Sequence, residues 1–276
     1  MKQINYNLTD MPDELVEFGI IKSKKHTKSA TKLVNIKEEN GIKRTEIWLN
    51  EGNEFNKSAG IYITYDCLKF ESDKTKNYLV AQLAKDLNNQ IKNTKKILCL
   101  GIGNPEITSD ALGPKCINNI KINNKLGQKC QERQVCKYSP GVVGNTGIDS
   151  KDIVTLLIKK LQPDLILVID SLCTRNFNRI GSSFQLSDAG LTPGSGVGES
   201  TFAINQKELG VKVIALGVPT VVHFRSILGE YVAEENILNR YNGLFVSPKE
   251  IDIIINFCAE VISGAINEVF DKKNGE

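Results

Sequence analysis

The chain has 276 residues, 41% of them hydrophobic and 24% charged, with 35 basic against 32 acidic side chains and a net charge of +3. That is enough for one large core with a smaller appended layer, and the near balance of charge gives no electrostatic case for a nucleic-acid or membrane partner. No apolar run reaches the ~20 residues of a bilayer span, and Met1 to Glu17 lacks the apolar core of a secretory signal, so a cytoplasmic location is the default expectation.

Residues 1–30 are polar and read as irregular. Lys43 to Leu49 and Gly60 to Tyr65 are apolar, β-branched runs on either side of the turn signal Asn50-Glu51-Gly52-Asn53. They predict a small antiparallel β unit within 31–70. Leu79, Leu83, Leu87 and Ile91 recur at helical spacing, which predicts an amphipathic helix over 74–92. Lys96 to Gly103 is a short buried strand ending in glycines, followed by a helix from about Ala111 to Ile120. Gln134 to Tyr138 is a weaker strand, and Asp149 to Leu161 a helix that Pro163 stops. Asp164 to Asp170 is an almost wholly apolar strand, and Ser183 to Leu186 and Val211 to Val218 are two more. Ser247-Pro248-Lys249-Glu250 has the pattern of a capping box, opening a helix that runs to about Phe270. Apolar strands alternating with helices predict an α/β fold, a mostly parallel twisted sheet with helices on both faces.

Seven cysteines (Cys67, Cys99, Cys116, Cys130, Cys136, Cys173 and Cys258) show no C-x-x-C spacing, and only His26 and His223 could complete a mixed site. Neither a zinc site nor a disulfide framework is expected, and no cofactor is implied. The cysteines read as small core hydrophobes.

Chemistry concentrates at the ends of the central strands. Gly101-Ile102-Gly103-Asn104 leads into Thr108-Ser109-Asp110-Ala111-Leu112-Gly113-Pro114. The dinucleotide pattern G-x-G-x-x-G fails because Glu106 stands where the last glycine is required. Asp110 reads either as a helix cap or as a catalytic carboxylate. Asp170 closes the most apolar strand, where an aspartate is costly without a partner or water. It reads either as a loop-start residue paired with Arg175 or Arg179, or as part of a site in the crevice beyond the strands. If the two strands are neighbours, both carboxylates face one crevice, share a proton and can activate water for amide hydrolysis. A Cys173–His223 or serine–histidine pair is the competing arrangement. Glycine-rich loops at 140–147 and 187–198 let a backbone pass close by, or are plain turns. Gly103, Asn104, Gly141, Gly144, Asp188, Gly194, Ser195 and Gly196 are the candidate substrate-contacting residues, with Asp188 alternatively a turn former.

Gly101 to Pro114 (GIGNPEITSDALGP), Ser139 to Asp149 (SPGVVGNTGID), Pro163 to Arg175, Gln185 to Gly198 (QLSDAGLTPGSGVG), Leu209 to Val222 (LGVKVIALGVPTVV) and Val246 to Glu268 occur in that order. Together they resemble the germination protease family of spore-forming bacteria, over about Lys95 to Val269 with one gap; the N-terminal β unit fits less clearly. The resemblance implies a fold like that of hydrogenase maturation endopeptidases. It implies an aspartic-type endopeptidase of the spore core that cuts small acid-soluble spore proteins at germination, with Asp110 and Asp170 as the catalytic pair. It further implies a homotetramer made as a zymogen. Thr9-Asp10 matches the family's processing context, so 1–10 is a candidate propeptide cut at Asp10–Met11, and 11–276 a single peptidase domain.

The chain departs from the family pattern in four places. Val222 to Val246 is short, His223 replaces an aspartate, Glu199-Ser200-Thr201-Phe202 replaces a basic run, and Ser171-Leu172-Cys173-Thr174 replaces an alanine-rich stretch. Two alternatives therefore stand beside the main expectation. One is a catalytically impaired paralogue that binds a spore protein or peptide; the other is a hydrogenase-maturation-type endopeptidase.

Overall fold

A computed structural model describes residues 9–17, 31–53, 55, 57–67, 73–122, 133–194 and 202–271. Ser195, Gly196 and the 199–201 segment lie outside the described residues. In chain order the elements are α1 (Glu14–Glu17), β1 (Thr31–Glu39), β2 (Ile42–Leu49), β3 (Gly60–Asp66), α2 (Asp73–Gln90), β4 (Lys96–Gly101) and α3 (Leu112–Asn119). There follow β5 (Gln134–Tyr138), α4 (Val143–Thr146), α5 (Ser150–Leu161), β6 (Leu165–Thr174), β7 (Ser183–Ser187) and α6 (Gln206–Leu209). The chain then forms β8 (Lys212–His223), α7 (Phe224–Leu228), α8 (Glu235–Leu238), β9 (Phe245–Val246) and α9 (Ile251–Asp271).

All nine described strands join one sheet in the order β1-β2-β3-β7-β8-β6-β4-β5, with β9 on the end of β8. The sheet is mixed. β5, β4, β6 and β8 run parallel, whereas β8–β7, β7–β3, β3–β2 and β2–β1 pair antiparallel. The N-terminal β unit is thus no separate layer: β3 pairs with β7 and extends the central sheet.

Alternation along β6 sets the two faces. Leu165, Leu167 and Ile169 enter the core under α2, α3 and α9; Ile166 and Val168 enter the one under α5. α9 is 21 residues long and, by length and composition alone, apolar enough to cross a membrane. This corrects the expectation that no such run exists. Its apolar face is nonetheless spent inside the protein, where Ile255, Cys258, Ile262, Ile266 and Val269 are buried against α2 and α3. The helix begins at Ile251, not at Pro248, and the Ser247 hydroxyl donates to the Thr220 carbonyl at 3.0 Å.

Three departures matter for the site. β6 runs on to Thr174 and β8 to His223, because Ser171 to Thr174 continue the ladder against Val218 to Val222 through an irregularity at Leu172/Cys173. Thr9–Glu17 is not irregular surface: Thr9, Met11, Asp13, Glu14 and Leu15 are buried. Leu15 packs with Ile47, Leu49, Phe55 and Tyr62, covering the face of the antiparallel half that no long helix covers.

Candidate active site

Neighbouring strands end at different heights here, the arrangement in which open α/β sheets form a crevice. Gly101↔Ile169 is the last β4–β6 pair, so Asp170 is the first β6 residue left without β4 beside it. β4 turns away there, and it can do so only through glycine. A Cβ on Gly101 would lie 2.3 Å from the Gly113 carbonyl oxygen, and one on Gly113 2.2 Å from that of Ile102. Gly103 has φ +119°, and a Cβ on it would meet the Asp110 carbonyl oxygen at 2.0 Å. Strand, turn and α3 therefore close on one another, and Asp110 arrives on the last residue of a one-turn 3₁₀ segment before α3.

Asp110, in the turn that follows β4, thus comes near enough to Asp170 on the adjacent parallel β6 for its charge to act there. Asp170 is 6% exposed and accepts from the Ser171 N–H at 2.8 Å. Burial, and after it the charge of Asp110, holds its carboxyl well above the usual range. Asp110 is half-buried and accepts from the Asn104 N–H at 2.6 Å. Burial raises its pKa too, and the Asn104 N–H opposes the rise. Two carboxyls with unequal environments can divide the work: the shallower one ionises and the deeper one keeps a proton.

The Asn104 side chain accepts from Asn145 Nδ2 at 3.2 Å and so ties the turn to the 141–148 loop. In that loop Gly141 takes φ +71° while a Cβ on Gly144 would meet only open space. Gly194 takes φ +73° in its own turn. Asp188 is not brought to the pair. β7 runs antiparallel to β8, so Asp188 lies towards the opposite end of the sheet, where its carboxylate accepts from the Ile61 N–H at 2.6 Å.

Thr9–Glu17 lies over the crevice. The Asp10 N–H donates to the Cys173 carbonyl at 2.8 Å, and the Cys173 N–H donates to the Asp10 carboxylate at 2.9 Å. Gln185 Nε2 donates to the Asp10 carbonyl at 3.4 Å, and Lys57 Nζ to the Thr9 carbonyl. Asp10 also adds to the rise in the pKa of Asp170.

A model of the germination protease family matches residues 16–241. The germination protease of Clostridium tetani is 35% identical over 271 residues, covering 82% of this chain and 84% of that protein. That of Caldanaerobacter subterraneus subsp. tengcongensis is 34% identical, with 85% and 87% covered. The chain belongs to the germination protease family. It is thereby an endopeptidase of aspartic type. The germination protease of Priestia megaterium is 37% identical over 215 residues, covering 72% of this chain and 58% of that protein. Among solved structures, the [NiFe] hydrogenase maturation protease HycI from Thermococcus kodakarensis matches with TM-score 0.45 and 18% identity, covering 68% of this chain and 99% of that one. The family match begins at residue 16, so it spans the β unit of β1–β3 as well as the centre.

The geometry does not favour a thiol nucleophile at Cys173. Burial and the Asp10 charge push the Cys173 thiol well up, and it meets His223 through the latter's main chain. The His223 ring stands edge-on to Phe245, and burial lowers its pKa. Among the described residues no group of three His, Cys, Asp or Glu could hold a metal ion.

Asp13 and Asp66 had no sequence signal. Arg179, suggested as a partner for Asp170, instead pairs with Asp13 and with Asp66, the latter at 2.7 Å, and all three are buried. Glu14 accepts from the Thr174 hydroxyl and from the Arg175 and Asn176 N–H groups. These contacts hold the N-terminal segment to residues more than a hundred positions away.

Proposed function

We propose that this chain initiates the breakdown of small acid-soluble spore proteins in the spore core at germination, using Asp110 and Asp170 to drive water onto a peptide bond. The observation that carries this reading is the buried Asp170, placed where β4 ends and β6 continues, with its carboxyl pushed up by burial and then by the charge of Asp110. Asp110, ionised, takes a proton from water as its oxygen attacks the carbonyl carbon. The C–N bond then breaks, Asp170 gives its proton to the leaving nitrogen, and the products are a carboxylate and an amine. No cofactor enters this scheme. The seat of Asp10 on Cys173 supports a zymogen cut at Asp10–Met11, in which Thr9 and Asp10 stay bound beside Asp170 until removed. Membership of the family supports a homotetramer, which light scattering on the purified protein tests.

The test incubates full-length protein, and protein beginning at Met11, with a purified small acid-soluble spore protein, alongside Asp110→Asn and Asp170→Asn. The trimmed wild type is expected to cut and each variant to lose ~10²–10⁴-fold in kcat. No cleavage by the trimmed protein under any condition would favour the impaired, peptide-binding paralogue. Cleavage surviving both substitutions would remove the aspartate mechanism.

A further inference from the structure

Gln185 sits on β7, the third strand from β4, counted through β6 and β8. Its Cα is in register with Gly217, whose other neighbour in register is Asp170. Residues paired across adjacent strands share a face, so Gln185 and Asp170 face the same side of the sheet, about 10 Å apart across two strand spacings. Gly217 between them has no side chain, and Leu172 occupies that room. Gln185 is 7% exposed, and its Oε1 is buried without a hydrogen-bond partner among the described residues. An amide so buried is costly unless it bonds. Among the described residues, the one bond its side chain makes is from Nε2 to the Asp10 carbonyl oxygen, the carbonyl of the Asp10–Met11 peptide. That peptide is fixed on its other sides too. The Met11 N–H donates to Thr9 Oγ1 at 2.9 Å, and Lys57 holds the carbonyl one residue upstream.

We infer that Gln185 is a catalytic residue: its amide stabilises the oxyanion that forms on the scissile carbonyl when water attacks. This rests on the reading that Asp10–Met11 is a bond the site cuts. At 3.4 Å the contact is long for an amide–carbonyl hydrogen bond. It is weak in the ground state and can shorten as charge develops on the oxygen, and that difference accelerates a reaction. The electron pair displaced from the carbonyl π bond by water rests on this oxygen in the tetrahedral intermediate. It returns to re-form C=O as the C–N bond breaks. Asp110 and Asp170 handle the protons, and neither neutralises that oxygen. A donor from a third strand supplies the missing part.

The experiment follows self-processing at Asp10–Met11 by intact mass, and kcat and KM on a purified small acid-soluble spore protein, for wild type, Gln185→Met and Gln185→Glu. Gln185→Met keeps the shape and loses the donor. Processing and kcat are expected to fall ~10²–10³-fold with KM little changed, the loss typical of one oxyanion donor. Its thermal unfolding is expected to match or exceed wild type, since it also removes an unbonded buried oxygen. Gln185→Glu donates only while protonated, so the ratio of its activity to that of Gln185→Met, measured at the same pH, is expected to rise on acidification; a merely structural role would not move that ratio. Wild-type processing by Gln185→Met, or by Gln185→Glu at alkaline pH, overturns the inference. A wild type that cuts the spore protein but never Asp10–Met11 overturns it while leaving the peptidase reading standing. A wild type that cuts neither removes both.

Discussion

Asp170 is buried and Asp110 half-buried, and burial is the largest cause of the raised pKa at both. For Asp170 burial is the largest cause of the raised pKa, and the charge of Asp110 the second. Asp110 is more exposed and is steadied as an anion by the Asn104 N–H. Replacing Asp110 with Asn removes a neighbouring charge and leaves burial in place. The Asp170 pKa is therefore expected to move down in Asp110→Asn but to stay above the ordinary carboxylate value of 3.8. Carboxyl-carbon NMR titration of both proteins measures this directly. An unmoved Asp170 would mean that the two groups do not interact. In the wild type the activity profile should rise with pH as Asp110 ionises and fall as Asp170 loses its proton.

At the scale of elements, the close seat of α3 against β4 and β6 positions Asp110, and Gly113 is the residue on which that seat depends. A Cβ there would lie 2.2 Å from the Ile102 carbonyl oxygen and 2.6 Å from that of Ile169, backbone atoms that cannot swing aside. Gly113→Ala is expected to cost ~1–3 kcal/mol in urea unfolding and to depress activity by displacing Asp110. Gly144→Ala faces open space and should stay within about 0.5 kcal/mol. The sequence made β4, β5, α5 and the start of β6 readable because burial on both faces leaves continuous apolar runs at Ile97 to Leu100 and Leu165 to Ile169. It hid the second half of β6, because Ser171, Cys173 and Thr174 carry no apolar run and their pairing is decided by β8. The role of Gln185 was equally hidden. A polar residue inside a strand shows nothing until its register with Gly217 and Asp170 is known.

At the scale of the whole molecule, one buried charge cluster fixes the N-terminal segment to the sheet. Arg179 at the end of the β6–β7 connection reaches Asp13 on the segment and Asp66 at the end of β3, with Glu14 behind. Arg179 is 2% exposed, Asp13 3% and Glu14 0%. Removing the one cation leaves buried acids unpaired, which typically costs ~3–5 kcal/mol. The cost should depend on pH, and its sign follows from Asp13. Burial lifts its pKa from 3.8 to about 6, against the opposing pull of Arg179. A carboxyl raised in the folded state binds more protons folded than unfolded, so its contribution to stability falls as pH rises from about 4 through about 6 and is level above that. Without Arg179 the folded pKa climbs further and the falling window extends upward. Arg179→Met should therefore be destabilised more at pH 8 than at pH 5 by urea unfolding, and Asp13→Asn added to it should recover part of the loss at pH 8. A deficit equal at both pH values would mean that Arg179 acts by packing alone and that charge does not hold the segment over the crevice.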